Sequence, residues 1–155
     1  MTWIIREATA SDLDPIVEIE NSLFLSPWSR QSFESELVRP GGIVLTAEAD
    51  RRPIGYAIGW CVADEIHIAN LGVHPEWQNR GVGRALLETL LRSCPEAAWA
   101  GLEVRSSNAA AIGLYSKLGF RKSGIRKKYY VEEGEDAVLM EKKLSPGKRG
   151  THGVV

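Results

Sequence analysis

Cysteine and histidine are scarce in this 155-residue chain, and neither sign of charge is in excess. Its two cysteines, Cys61 and Cys94, lack CxxC spacing, so neither a disulfide scaffold nor a structural zinc site is expected, and both read as reduced, buried thiols. Three scattered histidines offer no metal-ligand spacing, and no metal is expected. Lys plus Arg number 19 against 20 Asp plus Glu, a net charge of −1, which removes the global attraction that non-specific nucleic-acid binding needs. No apolar run approaches the ~20 residues of a membrane-spanning helix, and the opening segment turns polar after Ile5, so a cytoplasmic protein without membrane contact is expected. What is present, 44% hydrophobic and 25% charged residues, suits a single domain with a real core.

The hydrophobic pattern divides the chain into about seven strands and four helices. Trp3 to Ala8 alternates as an opening strand, and Thr9 or Ser11 caps a helix whose apolar positions are Leu13, Ile16, Val17 and Ile19. Ser26 to Ser29 breaks that helix and starts a second, with Phe33 and Leu37 four apart. Three strands follow, Gly42 to Ala49, Pro53 to Ala63 and Glu65 to Val73, as an antiparallel meander. After a polar loop, Gly81 opens the clearest amphipathic helix, carrying Val82, Leu86, Leu87, Leu90 and Leu91. A buried strand at Trp99 to Val104 leads to a helix capped by Asn108 and ended by Gly119. Strands at Phe120 to Val131 and Ala137 to Leu144 close the domain, taken as 1–144, and 145–155 reads as a disordered tail. This order predicts an α/β (α+β) fold with a mostly antiparallel sheet and a parallel portion in its second half.

Two constellations bear on chemistry. In Gln78-Asn79-Arg80-Gly81-Val82-Gly83-Arg84, glycines stand where a loop enters a helix, and unpaired N–H groups there suit an anion. A Walker loop is excluded because no Gly-Lys-Ser/Thr follows, and the third glycine of a Rossmann fingerprint is missing. The second is Leu102-Glu103-Val104-Arg105-Ser106-Ser107-Asn108, followed by Tyr115. Glu103 puts a carboxylate into an otherwise apolar strand, which is costly without a partner or a task; a salt bridge to a neighbouring strand is the plainer reading. Tyr115 lies about two turns beyond Asn108, near the same sheet edge, and is equally readable as a core tyrosine.

These residues resemble the GNAT superfamily of acetyl-CoA-dependent N-acetyltransferases. Gln78, Gly81 and Gly83 match its Q/R-x-x-G-x-G/A signature. Leu-Glu-Val-Arg to Leu-Tyr-x-x-x-Gly-Phe, met from Leu102 to Phe120, together with Pro27-Trp28-Ser29, Arg126-x-x-Tyr129-Tyr130 and Glu135-Asp136-Ala137, is similar to the ribosomal-protein-alanine N-acetyltransferases. The resemblance implies acetyl-CoA as co-substrate and the N-terminus of a ribosomal protein as acceptor. It implies that Leu71, Gly72 and Val73 offer backbone groups to the pantetheine arm and the thioester carbonyl. Gln78, Asn79, Arg80, Gly81, Val82, Gly83 and Arg84 would wrap the pyrophosphate, and Asn108 would touch the cofactor. Glu103 would be the general base and Tyr115 the acid for the departing thiolate. Pro27, Trp28, Tyr129 and Tyr130 would line the peptide groove.

Direct acyl transfer needs a neutral amine, a polarised carbonyl and a proton for sulfur. An α-amine at 7.7–8.0 costs ~3.5 kcal/mol less to deprotonate at pH 7 than a lysine near 10.4. The strand reads Asn70-Leu71-Gly72-Val73 where the family has Asn-Ile-Ala-Val, and the extra glycine is expected to loosen it. His67, on the alternate-residue face of Leu71 and Val73, reads as a core or rim histidine or as a partner of Glu103. Arg121, Lys122, Arg126, Lys127 and Lys128 form a basic cluster before Glu132, Glu133, Glu135 and Asp136. It reads as a solvated hairpin rather than a nucleic-acid contact, with the acids able to steer a basic substrate tail. The rival readings are a broader N-terminal or lysine acetyltransferase and a CoA-binding module without turnover.

Overall fold

A computed structural model describes residues 2–130 and 134–145, with the side chains of 128–130 outside that description. Seven strands form one sheet: β1 (Ile4–Glu7), β2 (Gly42–Ala49), β3 (Arg52–Val62), β4 (Glu65–Val73), β5 (Trp99–Arg105), β6 (Arg121–Tyr130) and β7 (Glu135–Lys143). Four α-helices flank it: α1 (Leu13–Leu23), α2 (Arg30–Leu37), α3 (Val82–Arg92) and α4 (Ala109–Lys117). The strand order is β1-β2-β3-β4-β5-β7-β6. Only β4–β5 pairs in parallel; the other five pairings are antiparallel, as a mostly antiparallel α/β fold requires. The expected tail falls almost wholly outside the described residues.

Local chemistry sets the helix starts. Ser29 accepts the Ser32 N–H at 3.1 Å to cap α2, and Asn108 Oδ1 accepts the Ala111 N–H at 3.1 Å to cap α4. Gly81 enters α3 in the left-handed region, φ +85°, and no side chain caps that helix. The β2–β3 hairpin turns on Asp50 and Arg51, both with positive φ, which suits the twist of paired strands.

The sheet is covered on both faces. On one side α3 buries Leu86, Leu87 and Leu90 with Ala57, Ile66 and Ala100. On the other, α1 and α2 bury Leu13, Ile16, Ile19 and Phe33 with Val44, Tyr56 and Ile58. Strand β3 feeds both layers from alternate residues, which is why it reads as nearly continuous apolar sequence. Arg6 braces the entry to α1, donating to Asp12 at 2.8 and 2.9 Å and to Glu48 at 2.8 Å, and holds the Asp12 carboxyl below its ordinary range.

Two expectations are corrected. Cys61 and Cys94 stand as one pair, Cα to Cα 6.1 Å, rather than as separate thiols. The packing of α3 over β3 brings together two residues 33 apart, a contact that local spacing does not encode. Strand β4 also does not alternate strictly: Ile58 faces Asn70 while Gly59 faces Ile68, so Ala69 is an extra residue that breaks the shared face expected for His67, Leu71 and Val73.

Candidate active site

The parallel pairing of β4 with β5 runs from Glu65↔Trp99 to Ile68↔Leu102 and then stops, although both strands continue. Beyond the Ala69 bulge they diverge, and a cleft of about 270 Å³ opens between them. Its walls include Asn70 and Leu71 from β4, Glu103 from β5, Asn108 and Tyr115 from α4 with its cap, and Glu20 and Trp28 from the α1 side. Residues from Glu20 to Tyr115 therefore meet at one sheet opening.

Glu103 is only partly exposed, and its Oε2 lies 2.8 Å from His67 Nε2. That hydrogen bond is the main reason its carboxyl titrates below the ordinary range; burial works in the opposite sense, and the charge of Arg126 adds to the lowering. His67 Nδ1 is buried with no hydrogen-bond partner among the described residues. A proton there would be stranded, so the tautomer that fits has Nε2–H donating to Glu103. The imidazole rests on Trp60, ring centroids 4.5 Å apart, and the Arg39 guanidinium sits 4.0 Å over that indole. Glu103 is thus presented as an anion held in place from behind, and the salt bridge foreseen for it is a bond to His67. Tyr115 is 6% exposed and packs against Phe120 at 5.6 Å while still lining the cleft.

The glycine loop stands apart from this cleft. Gln78 Nε2 donates to the Val73 carbonyl at 3.1 Å, tying the loop to the end of β4. Asn79 and Gly81 hold positive φ, and nothing lies within 4 Å of where a Gly81 Cβ would be. Arg80 lies 4.9 Å over the Trp77 ring, and Arg84 pairs with Glu88 at 3.5 Å. Val82 is buried in the core, so only its backbone faces a ligand. With Gly81 leaving open space and the first turn of α3 uncapped by any side chain, a diphosphate fits these N–H groups, with Arg80 and Arg84 nearby in sequence.

On the acceptor side Pro27 is exposed, and Trp28 packs on Phe33 at 5.3 Å. Tyr129 and Tyr130 belong to β6, and their side chains lie outside the described residues, as do Glu132 and Glu133. Of the remaining hairpin acids, Glu135 accepts the Ser107 N–H at 2.7 Å, which fixes the β5–α4 loop; the Ser107 side chain first and this N–H second lower its carboxyl pKa, and Asp136 pairs with Lys127 at 3.7 Å. Gly72 is not loose. A Cβ there would come within 2.8 Å of Tyr56 Cε1 and closer to its Cζ and hydroxyl, so tyrosine fills the space left by the missing methyl.

Sequence reasoning missed Glu20, Tyr56, Asn70 and Trp60. The signal for Glu20 was available, since it falls one turn after Ile16 on the apolar face of α1. The helix therefore points a carboxylate inward.

Residues 13–120 match the family model described as Acetyltransferase (GNAT) family. The chain belongs to the GNAT acetyltransferases. It is 39% identical over 144 residues to a Salmonella typhimurium (strain LT2) protein named ribosomal protein bS18-alanine N-acetyltransferase, with 88% of this chain and 95% of that one covered. The crystal structure of the Escherichia coli ribosomal-protein-S18-alanine N-acetyltransferase superposes with a TM-score of 0.83 at 34% identity, covering 95% of this chain and 98% of that one. Arabidopsis thaliana NAA60, crystallised with acetyl-CoA, shares the fold with a TM-score of 0.82 at 19% identity, covering 92% and 99%. No helix of the described residues is long and apolar enough to cross a membrane.

Proposed function

We propose that this acetyltransferase transfers acetyl from acetyl-CoA to the α-amine of the N-terminal alanine of a small-subunit ribosomal protein, of the kind its relatives are named for, and does so in the cytoplasm. The observation that carries the reading is the anionic Glu103, held by His67 at the mouth of the β4–β5 opening with Tyr115 in the same cleft. Acetyl-CoA, when bound, supplies the activated acyl carbon.

The open edge of β4 around Leu71, Gly72 and Val73 offers backbone groups to the pantetheine arm and, near Val73, an N–H to the thioester oxygen, and the loop from Gln78 to Arg84 takes the phosphates. Asn108 holds the start of α4 and faces the cofactor. Glu103 attracts the acceptor's ammonium, which loses one proton to water, and orients the neutral amine that results. Its low pKa makes it a weak base, yet the nitrogen becomes strongly acidic as its bond to the acyl carbon forms, so the carboxylate receives that proton as attack proceeds. Tyr115 gives its hydroxyl proton to sulfur as the carbon–sulfur bond breaks. Pro27, Trp28, Tyr129 and Tyr130 line the acceptor path.

The test is acetyl-CoA turnover on two matched peptides, one with a free N-terminal alanine and one N-terminally blocked with an internal lysine. Turnover confined to the first is expected. Preference for the lysine peptide overturns the substrate assignment, and binding of CoA without turnover on either favours a non-catalytic module.

A further inference from the structure

Glu20 is 2% exposed, and among the described residues its partners are three donors drawn from three other parts of the chain. The Trp28 N–H donates to Oε2 at 2.9 Å, Asn70 Nδ2 donates to Oε1 at 2.9 Å, and the Tyr56 hydroxyl donates to Oε1. Asn70 turns its other end to the cofactor-side strand, where its Oδ1 accepts the Leu71 N–H at 2.9 Å. A continuous line of hydrogen bonds therefore runs from the backbone of Trp28 through one carboxylate to the backbone of Leu71. Tyr56 stays protonated and donating because burial and the Glu20 charge push its phenol pKa far up. Its ring faces Gly72, its register partner, and occupies the space a side chain there would need.

From this geometry we propose that Glu20 is a positioning residue for acetyl transfer: it locks the acceptor-side segment at Trp28 to the cofactor-side strand at Asn70–Leu71, and so sets where the incoming amine meets the thioester. The proposal rests on the acetyltransferase reading above. Glutamate suits the task because all three partners donate, and only a carboxylate accepts on both oxygens. Glutamine at this position has one acceptor oxygen, so either Trp28 or the Tyr56–Asn70 side meets an NH2 group. Small misplacements of reacting groups are expensive in group transfer, so loosening one wall slows the reaction without emptying the cofactor site.

The experiment compares the parent, Glu20→Gln and Asn70→Ala in steady-state kinetics with the alanine peptide, acetyl-CoA titration and residue-resolved amide exchange. For Glu20→Gln we expect kcat/KM for the peptide to fall at least tenfold and the acetyl-CoA dissociation constant to change less than twofold. Exchange should quicken at least tenfold at the Trp28 and Leu71 amides and stay unchanged at Leu45 in β2. Asn70→Ala breaks only the β4 end of the line, so the same kinetic split is expected with faster exchange at Leu71 alone; it decides the matter if Glu20→Gln does not fold. A purely structural role would lower the melting temperature and the active fraction with both substrate constants unchanged, and that overturns the proposal. Parent-like kcat/KM or unchanged exchange at both amides overturns it too. If the parent itself does not turn over the alanine peptide, the functional reading falls, and exchange alone decides whether Glu20 ties the two walls.

Discussion

The two sides of the candidate site, the glycine loop and the cleft wall that carries Glu20, are built by different means. The loop side is local: Gln78 to Arg84 are contiguous, Asn79 and Gly81 hold positive φ, and backbone N–H groups are what it offers a ligand. The Glu20 side is assembled from a distance, with Glu20, Trp28, Tyr56 and Asn70 joined across three secondary-structure elements and a loop by hydrogen bonds that converge on one buried carboxylate. A backbone-built site can be written as a short motif and tolerates variation around it. A side-chain network has no motif, and each of its members is bound to the others' exact chemistry.

The sharpest break in this picture comes at Glu103, which stands between the two sides. Glu103→Gln should lower kcat by about 10²–10⁴-fold, the usual range for losing a general base, while acetyl-CoA affinity measured by titration stays within twofold. Tyr115→Phe should follow with a loss of about 10²-fold in kcat and an unchanged melting temperature, since the ring still packs on Phe120. A pair of alanine substitutions contrasts the sides directly. Gly72→Ala drives a methyl into Tyr56 and should cost about 1–3 kcal/mol in denaturant unfolding, with faster exchange at Trp28. Gly83→Ala meets Leu114 and Val73 only at 3.4–3.5 Å, so a stability change within about 0.5 kcal/mol is expected.

The smallest expected effect concerns pH. Because His67 holds the Glu103 carboxyl below its ordinary 4.5, protonating Glu103 should add a further acid limb to kcat/KM below that value, beneath the fall set by the acceptor amine, and any stability gained from the pair is present at neutral pH and fades as pH falls through the folded-state pKa. His67→Phe removes the donor and leaves burial acting, so the limb should move up in pH. An unmoved limb would show that His67 does not set it.

The same contrast accounts for how much was legible beforehand. The seven strands and four α-helices follow from periodicity and caps, and the ends of β2, β4, α2 and α4 agree closely because Ser29, Asn108 and the hairpin turns act within a few residues. Glu103, Tyr115 and the glycine loop could be singled out as candidates from strand, cap and loop, while the roles expected of them came from the family resemblance. The Cys61–Cys94 pairing, the Ala69 bulge and Glu20's partners were not legible, since each depends on how distant layers pack. The order β5-β7-β6 was hidden for the same reason: adjacency in sequence pairs β6 with β7 but does not say that β7 slips in beside β5.

That insertion has a consequence for how the protein comes into being. The strand bearing Glu103 is paired along its whole length with β7, from Trp99↔Lys143 to Arg105↔Ala137. Chains are made from the amino end, and long-range strand pairing waits for both partners. On a translating ribosome, everything up to Tyr130 can emerge while the edge that supports Glu103 still lacks its neighbour. The support of Glu103 therefore waits for β7, the last of the described strands, and a chain interrupted before it carries every residue of the glycine loop and both Glu103 and Tyr115 while the Glu103 strand lacks its neighbour.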